Sequence, residues 1–205
     1  MSYIELDNLQ RQILASAEQV VTKIFKTAVD PKFVFHNLIH TQQVVNAAKV
    51  LVGYYRLDSS IQMAVLLAAW FHDTGYSSGK PEDHERESER LAVTFLKNLK
   101  VEEPIIQQVS TCIMATRAPQ KPVGFEEKIV CDADLYHLGT NRFIEMNKLL
   151  KQELQSYFNK EITDDQWLRR NLEFLVAHKY FTGYCKQKLE PVKKEWIKRL
   201  REKAN

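Results

Sequence analysis

An all-α fold, arranged as a single-domain helical bundle, is what this sequence predicts. Three observations carry that expectation. Apolar residues recur every three or four positions in segment after segment. No run alternates in the way a half-buried strand does. Six Gly and six Pro in 205 residues leave too few turns for an all-β chain. Hydrophobic residues make up 44% and charged residues 27%, so a chain of this length can bury one proper core.

Each element is justified by its stripe. Leu9 to Phe25 carries Ile13, Ala17, Val20, Val21 and Ile24 at helical spacing, and Pro31 then interrupts the chain. A second helix leads out of Phe35-His36-Asn37-Leu38-Ile39-His40 to about Tyr55, with Val44, Ala47, Ala48, Leu51 and Tyr55 inward. His40 lies four residues before Val44 on that face, and His36 four before His40. The third helix ends at His72. From Ile61 to Phe71 only Gln62 is strongly polar, and a helix apolar on every side belongs in a core. After a polar loop, Ser77 to Asp83, a fourth helix covers His84 to Leu99. Its stripe is Ser88, Leu91, Ala92, Phe95 and Leu99, with His84 in register and Glu85, Glu87, Glu89 and Lys97 outside. Pro104 suits the first turn of a fifth helix with Ile105, Val109, Cys112, Ile113 and Thr116 inward. A sixth helix is expected over Glu126 to Leu138. It holds two acids, Asp132 and Asp134, and periodicity does not choose between them. The next helix spans Arg142 to Phe158, with Phe143, Met146, Leu150 and Leu154 inward. Thr163-Asp164-Asp165-Gln166 reads as a capping box for a helix that includes His178. Pro191 opens a basic terminal helix, read as solvated surface.

Several classes are set aside. A formal charge of +3 is too small to argue for nucleic acid, so none is expected as a partner. The longest apolar run, Met63 to Phe71, is far short of a membrane span. No basic-then-apolar leader opens the chain. Cys112, Cys131 and Cys185 are widely spaced and odd in number, which suits a reducing, cytoplasmic setting without a disulfide framework. The oligomeric state is left open.

The chemistry-bearing residues are His40, the doublet His72-Asp73, and Asp132 or Asp134. The doublet puts an imidazole and a carboxylate at the mouth of an apolar interior. A buried carboxylate is costly unless it is paired or bound to a metal. A capped helix end with a solvated Asp is the plain alternative for the doublet alone. Taken together, nitrogen and oxygen donors on separate helices suit a divalent ion with positions left for water.

That order of residues, His, then His-Asp, then Asp, resembles the HD-domain superfamily of metal-dependent phosphohydrolases, in its branch of predicted hydrolases. The similar segments are Phe35 to Thr41, Trp70-Phe71-His72-Asp73-Thr74-Gly75-Tyr76, His84-Glu85-Arg86-Glu87-Ser88, Met114-Ala115-Thr116, and Asp132 to Gly139. The resemblance implies one HD-type domain over 1–205, with its metal-site core over about 35–139 and the helices of 140–205 packed on it. It implies that His40, His72, Asp73 and Asp134 hold a divalent metal ion, of which Mn, Fe, Ni, Co, Zn and Mg are the candidates. Asp132 and His36 then support the ligands. His84 matches a histidine that some members use for a second ion, and binding of a substrate phosphate is an equal alternative. The further histidine of such members is replaced here by Thr116-Arg117-Ala118. Arg117 is a candidate for a substrate phosphate, which its planar fork suits. Lys121, Arg86 and Arg90 are weaker ones, and His137 and His178 are read as packing residues. The implied activity is hydrolysis of a phosphate mono- or diester by metal-activated water, with Asp73 as the catalytic acid–base group. A nucleotide is the expected small phosphorylated substrate. The alternative is a non-catalytic nucleotide sensor that keeps the metal site.

Overall fold

The computed structural model describes residues 6–204; Met1 to Glu5 and Asn205, which fall within the expected domain, lie outside the described residues. Helices succeed one another, all but the short α9 as expected: α1 (Asn8–Thr27), α2 (Leu38–Tyr55), α3 (Ser59–Phe71), α4 (His84–Asn98), α5 (Glu103–Ala115), α6 (Phe125–Asp134), α7 (Phe143–Phe158), α8 (Asp164–Ala177), α9 (Gly183–Lys188) and α10 (Glu190–Ala204). Among the described residues there is no strand. The chain forms two compact units. One takes the residues up to Asp30 and His36–Asp134; the other takes Pro31–Phe35 and the chain from Leu135 onward.

The first unit is built around α3. Met63 through Phe71 are all buried, and α1, α2, α4, α5 and α6 pack on this helix. Asp58 caps α3 by accepting from Ile61 N, and Asn37 caps α2 by accepting from His40 N at 3.0 Å. Both caps fix where a helix starts, and the second also fixes the backbone of His40. In the second unit Leu138, Phe143, Leu175 and Trp196 form a core to which α7, α8 and α10 contribute, and α9 packs on α10. Pro31–Phe35 belongs to that unit. Glu153 on α7 accepts from Phe35 N at 2.8 Å, and the Phe33 ring lies 6.0 Å from Tyr157.

Several expectations are corrected. The sixth helix stops at Asp134, and a 3-10 turn over Tyr136–Gly139 replaces its last turn. Gly139 comes so close to Leu189 that a Cβ there would lie 2.7 Å from the Leu189 carbonyl oxygen. Val20 and Leu99 face outward, while Leu96 takes the buried place on α4. Glu85 is buried although the charge pattern put it outside, with its carboxylate 3.7 Å from His84 Nδ1. His178 lies just past the end of α8.

Lys193 departs furthest from its expected solvated face. It is 1% exposed, its Nζ donates to His178 O at 2.6 Å, and the Nζ lies 3.0 Å from Glu190 Oε2. A lysine can be buried when its ammonium finds such partners, so sequence polarity alone misplaces it. Lys193→Met keeps the stem and removes the donors. It is expected to cost about 1–3 kcal/mol, the penalty for acceptors left unmatched. An unchanged urea midpoint would show that these contacts contribute nothing.

Candidate metal centre

Four sequence-predicted ligands meet at one place, each carried there by a helix end. His40 is in the first turn of α2, behind the Asn37 cap. His72 closes α3, and Asp73 comes next with its backbone turned out of the helix (φ −109°, ψ 5°). Asp134 is the last residue of α6. The turn after Asp73 is held by Thr74, whose hydroxyl donates to Phe71 O at 2.7 Å.

The distances between donor atoms are short and similar. Asp134 Oδ1 lies 3.3 Å from His40 Nε2 and 3.7 Å from His72 Nε2. Asp73 Oδ2 lies 3.5 Å and 3.1 Å from the same two nitrogens. Around an ion with bonds of about 2.1 Å, neighbouring ligands stand about 3.0 Å apart in an octahedron and about 3.4 Å in a tetrahedron. His40, His72 and Asp134 offer atoms all within 4.8 Å of one another, a group that could hold a metal ion.

The hydrogen bonds agree with that use. His72 Nδ1 faces Ala69 O at 2.9 Å, and donation there leaves Nε2 with its lone pair directed at the cluster. His72 Nε2 and Asp73 Oδ2 are both buried and face the cluster, 3.1 Å from each other. Such a buried pair needs a proton or a cation between its atoms.

Electrostatics point the same way. Burial opposes a charged His72, but the Asp73 and Asp134 carboxylates outweigh it and hold the imidazole up at about 9. Burial also opposes ionisation of Asp73, yet His72 and His84 hold its carboxyl well below the usual range. Asp134 is lowered too, with His40 and His72 overcoming its burial. Without an ion, then, His72 carries a proton at neutral pH, and an incoming cation must displace it. Apparent affinity should therefore rise with pH up to about 9, by up to ~10-fold per unit, with proton release on binding. Calorimetric titration in buffers of different ionisation enthalpy measures this; uptake without proton release would contradict it.

The other candidates fall in different places. His84 starts α4, with Nδ1 2.8 Å from Pro81 O and Nε2 3.4 Å from Asp73 Oδ1. Burial opposes its charge, but Asp73 and Glu85 raise its pKa. The His36 ring stacks on Tyr76, with centroids 4.3 Å apart, and lies 6.2 Å from His40. Asp132 is fully buried two residues before Asp134 and is not in the close donor group. Arg117 is tied to Asp83, Nη2 to Oδ1 at 2.6 Å, with both side chains exposed. Arg90 is paired with Glu87 on the surface. His137 and His178 belong to the other unit.

Sequence reasoning overlooked two supporting residues. Gln120 donates to Asp134 Oδ2 at 3.3 Å, which leaves Oδ1 to face the histidines. No spacing rule marks a lone glutamine in a loop. Gly75 N donates to Ser88 Oγ at 2.8 Å, and a Cβ on Gly75 would lie 1.9 Å from His84 O. The turn at Thr74–Ser78 can thus touch α4 only without a side chain there. Gly75→Ala should push the two apart at a cost of about 1–3 kcal/mol or more, as overpacking does. A thermal midpoint equal to the parent's would show that the turn yields freely.

Neither a protein-family model nor a curated protein sequence matches the chain. Solved structures do. A protein of Lactobacillus plantarum is 15% identical, with a TM-score of 0.67 over 94% of this chain and 96% of its own. The Lin1889 protein of Listeria innocua is 18% identical, with a TM-score of 0.65 over 94% and 95%. A predicted HD superfamily hydrolase from an uncultured Thermotogales bacterium is 19% identical, with a TM-score of 0.58 over 95% and 92%. At these identities the likeness is one of fold. The chain shares the all-helical fold of these structures, one of them a predicted HD superfamily hydrolase, and its His40, His72 and Asp134 form a group that could hold a metal ion.

Proposed function

We infer that this protein is a metal-dependent phosphohydrolase that cleaves a phosphate mono- or diester, with a nucleotide as the expected substrate. The observation that carries the reading is the convergence of His40, His72, Asp73 and Asp134, with their nitrogen and oxygen atoms 3.1–3.7 Å apart. A divalent ion held by them would lower the pKa of a water and draw charge from a phosphoryl oxygen. The residues supply the remainder. His40 and His72 present ring nitrogens, that of His72 once its proton is displaced. Asp134 is oriented by Gln120. Asp73 is kept ionised, so it can accept a proton from the attacking water as the new P–O bond forms and the ester P–O bond breaks. His84 Nε2, beside Asp73 Oδ1, is placed to meet a second ion or a phosphate oxygen. No helix among the described residues is long and apolar enough to cross a membrane, and all three cysteines are buried and free. Both facts are in keeping with a cytoplasmic site of action.

The test is a screen of nucleotides, cyclic nucleotides and simple phosphate esters with added manganese, nickel, cobalt or magnesium, alongside elemental analysis of the purified protein. Metal-dependent turnover supports the reading. Thermal stabilisation by a nucleotide without turnover would replace it with the sensor function.

A further inference from the structure

We propose that Tyr76 is a positioning residue for His84, and that contact with its ring aims His84 Nε2 at Asp73 for use beside the metal. The proposal rests on the metal reading above. His84 is poorly fixed by its own helix. It is the first residue of α4, and the preceding Asp83 makes no side-chain cap bond and stands at a left-handed φ of 57°. The bond from Nδ1 to Pro81 O restrains rotation of the ring but leaves its tilt open.

Tyr76 supplies the missing restraint. Its ring is 4% exposed and lies 4.4 Å from His84 on one side, tilted by 39°. The His36 ring stacks at 4.3 Å and only 14° from parallel. The two imidazoles stand 6.2 Å apart, so the tyrosine is in contact with both. Gly75, next in the chain, brings the backbone of the turn against the His84 carbonyl, and Gly75 N ties the same turn to Ser88 one helical turn on. Backbone contact therefore sets the distance between turn and helix, and the side of the Tyr76 ring, whose face is taken by His36, limits the tilt of the imidazole. Such aromatic pairs add modest energy but a defined geometry. A leucine would fill much of the space without a rigid ring.

The experiment compares Tyr76→Phe and Tyr76→Leu, each with and without His84→Ala, by calorimetric titration with cobalt(II). Tyr76→Phe keeps the ring and should bind as the parent does. Tyr76→Leu should weaken cobalt binding by roughly 10–100-fold, as loss of an orienting partner does. In the His84→Ala background the same change should matter by less than ~2-fold, because the residue it acts through is gone. An equal loss in both backgrounds, or no loss in either, overturns the proposal. The His84 Cε1 proton resonance of the metal-free protein gives a second readout, independent of metal and of activity. It should be sharp and shifted by the ring current in the parent and in Tyr76→Phe, and moved and broadened in Tyr76→Leu. If the parent takes up no cobalt, the metal reading fails, and this resonance alone decides the positioning; an unchanged signal in Tyr76→Leu overturns it.

Discussion

Asp73→Asn is expected to leave a folded protein whose hydrolysis has fallen by about 10²–10⁴ or more, the usual share of general-base assistance. The substitution is nearly isosteric, and the buried run from Met63 to Phe71 that holds the first unit together is untouched. What changes is charge and basicity. The parent carboxylate reaches His40 and His72 through Oδ2 and His84 through Oδ1, so it touches three imidazoles. An amide cannot accept the water's proton and is a poorer ligand. Single-turnover rates on the ester found by screening, with circular dichroism as the control for folding, measure the loss. A folded variant that binds metal and works at the parent rate would remove Asp73 from the chemistry and make a contaminating phosphatase the first suspect.

The second large effect concerns the choice between two acids. Asp134→Ala should abolish tight metal uptake, whereas Asp132→Ala should weaken it by roughly 10–100-fold. Asp134 presents Oδ1 to both histidines, and Asp132 lies outside the close donor group. Elemental analysis of the two variants after dialysis against limiting metal decides the matter. The reverse order would make Asp132 the ligand.

Much of the fold and site is legible in the sequence, and for identifiable reasons. The doublet can be located because an uninterrupted apolar helix ending in His-Asp has nowhere to put that pair except at the edge of a core. His40 can be placed because it keeps the register of the α2 stripe. The acids of α6 cannot be separated by periodicity, since both sit in an apolar stretch and only the end of the helix at Asp134 distinguishes them. Gln120 gives no signal, because a contact between a loop amide and a carboxylate 14 residues away leaves no pattern. The burial of Glu153 is invisible because its partner, an amide at Phe35, belongs to the backbone, which every sequence has, and Lys193 likewise owes part of its burial to the carbonyl of His178. Tyr76 stands inside a motif segment, but a motif gives identity and order, not which ring faces which.

The five residues Pro31–Phe35 have a consequence for the order of events during synthesis. They leave the ribosome well before the carboxylate that receives Phe35 N, which is 118 positions further on. At about 5–20 residues per second, Phe33 and Phe35 wait roughly 6–24 s for Glu153 to be made, and longer for it to clear the exit tunnel. During that interval two aromatic side chains, 2% and 6% exposed in the finished fold, lack the Tyr157 and His137 rings they pack on. A nascent chain halted soon after Asp134 would keep both rings in that state.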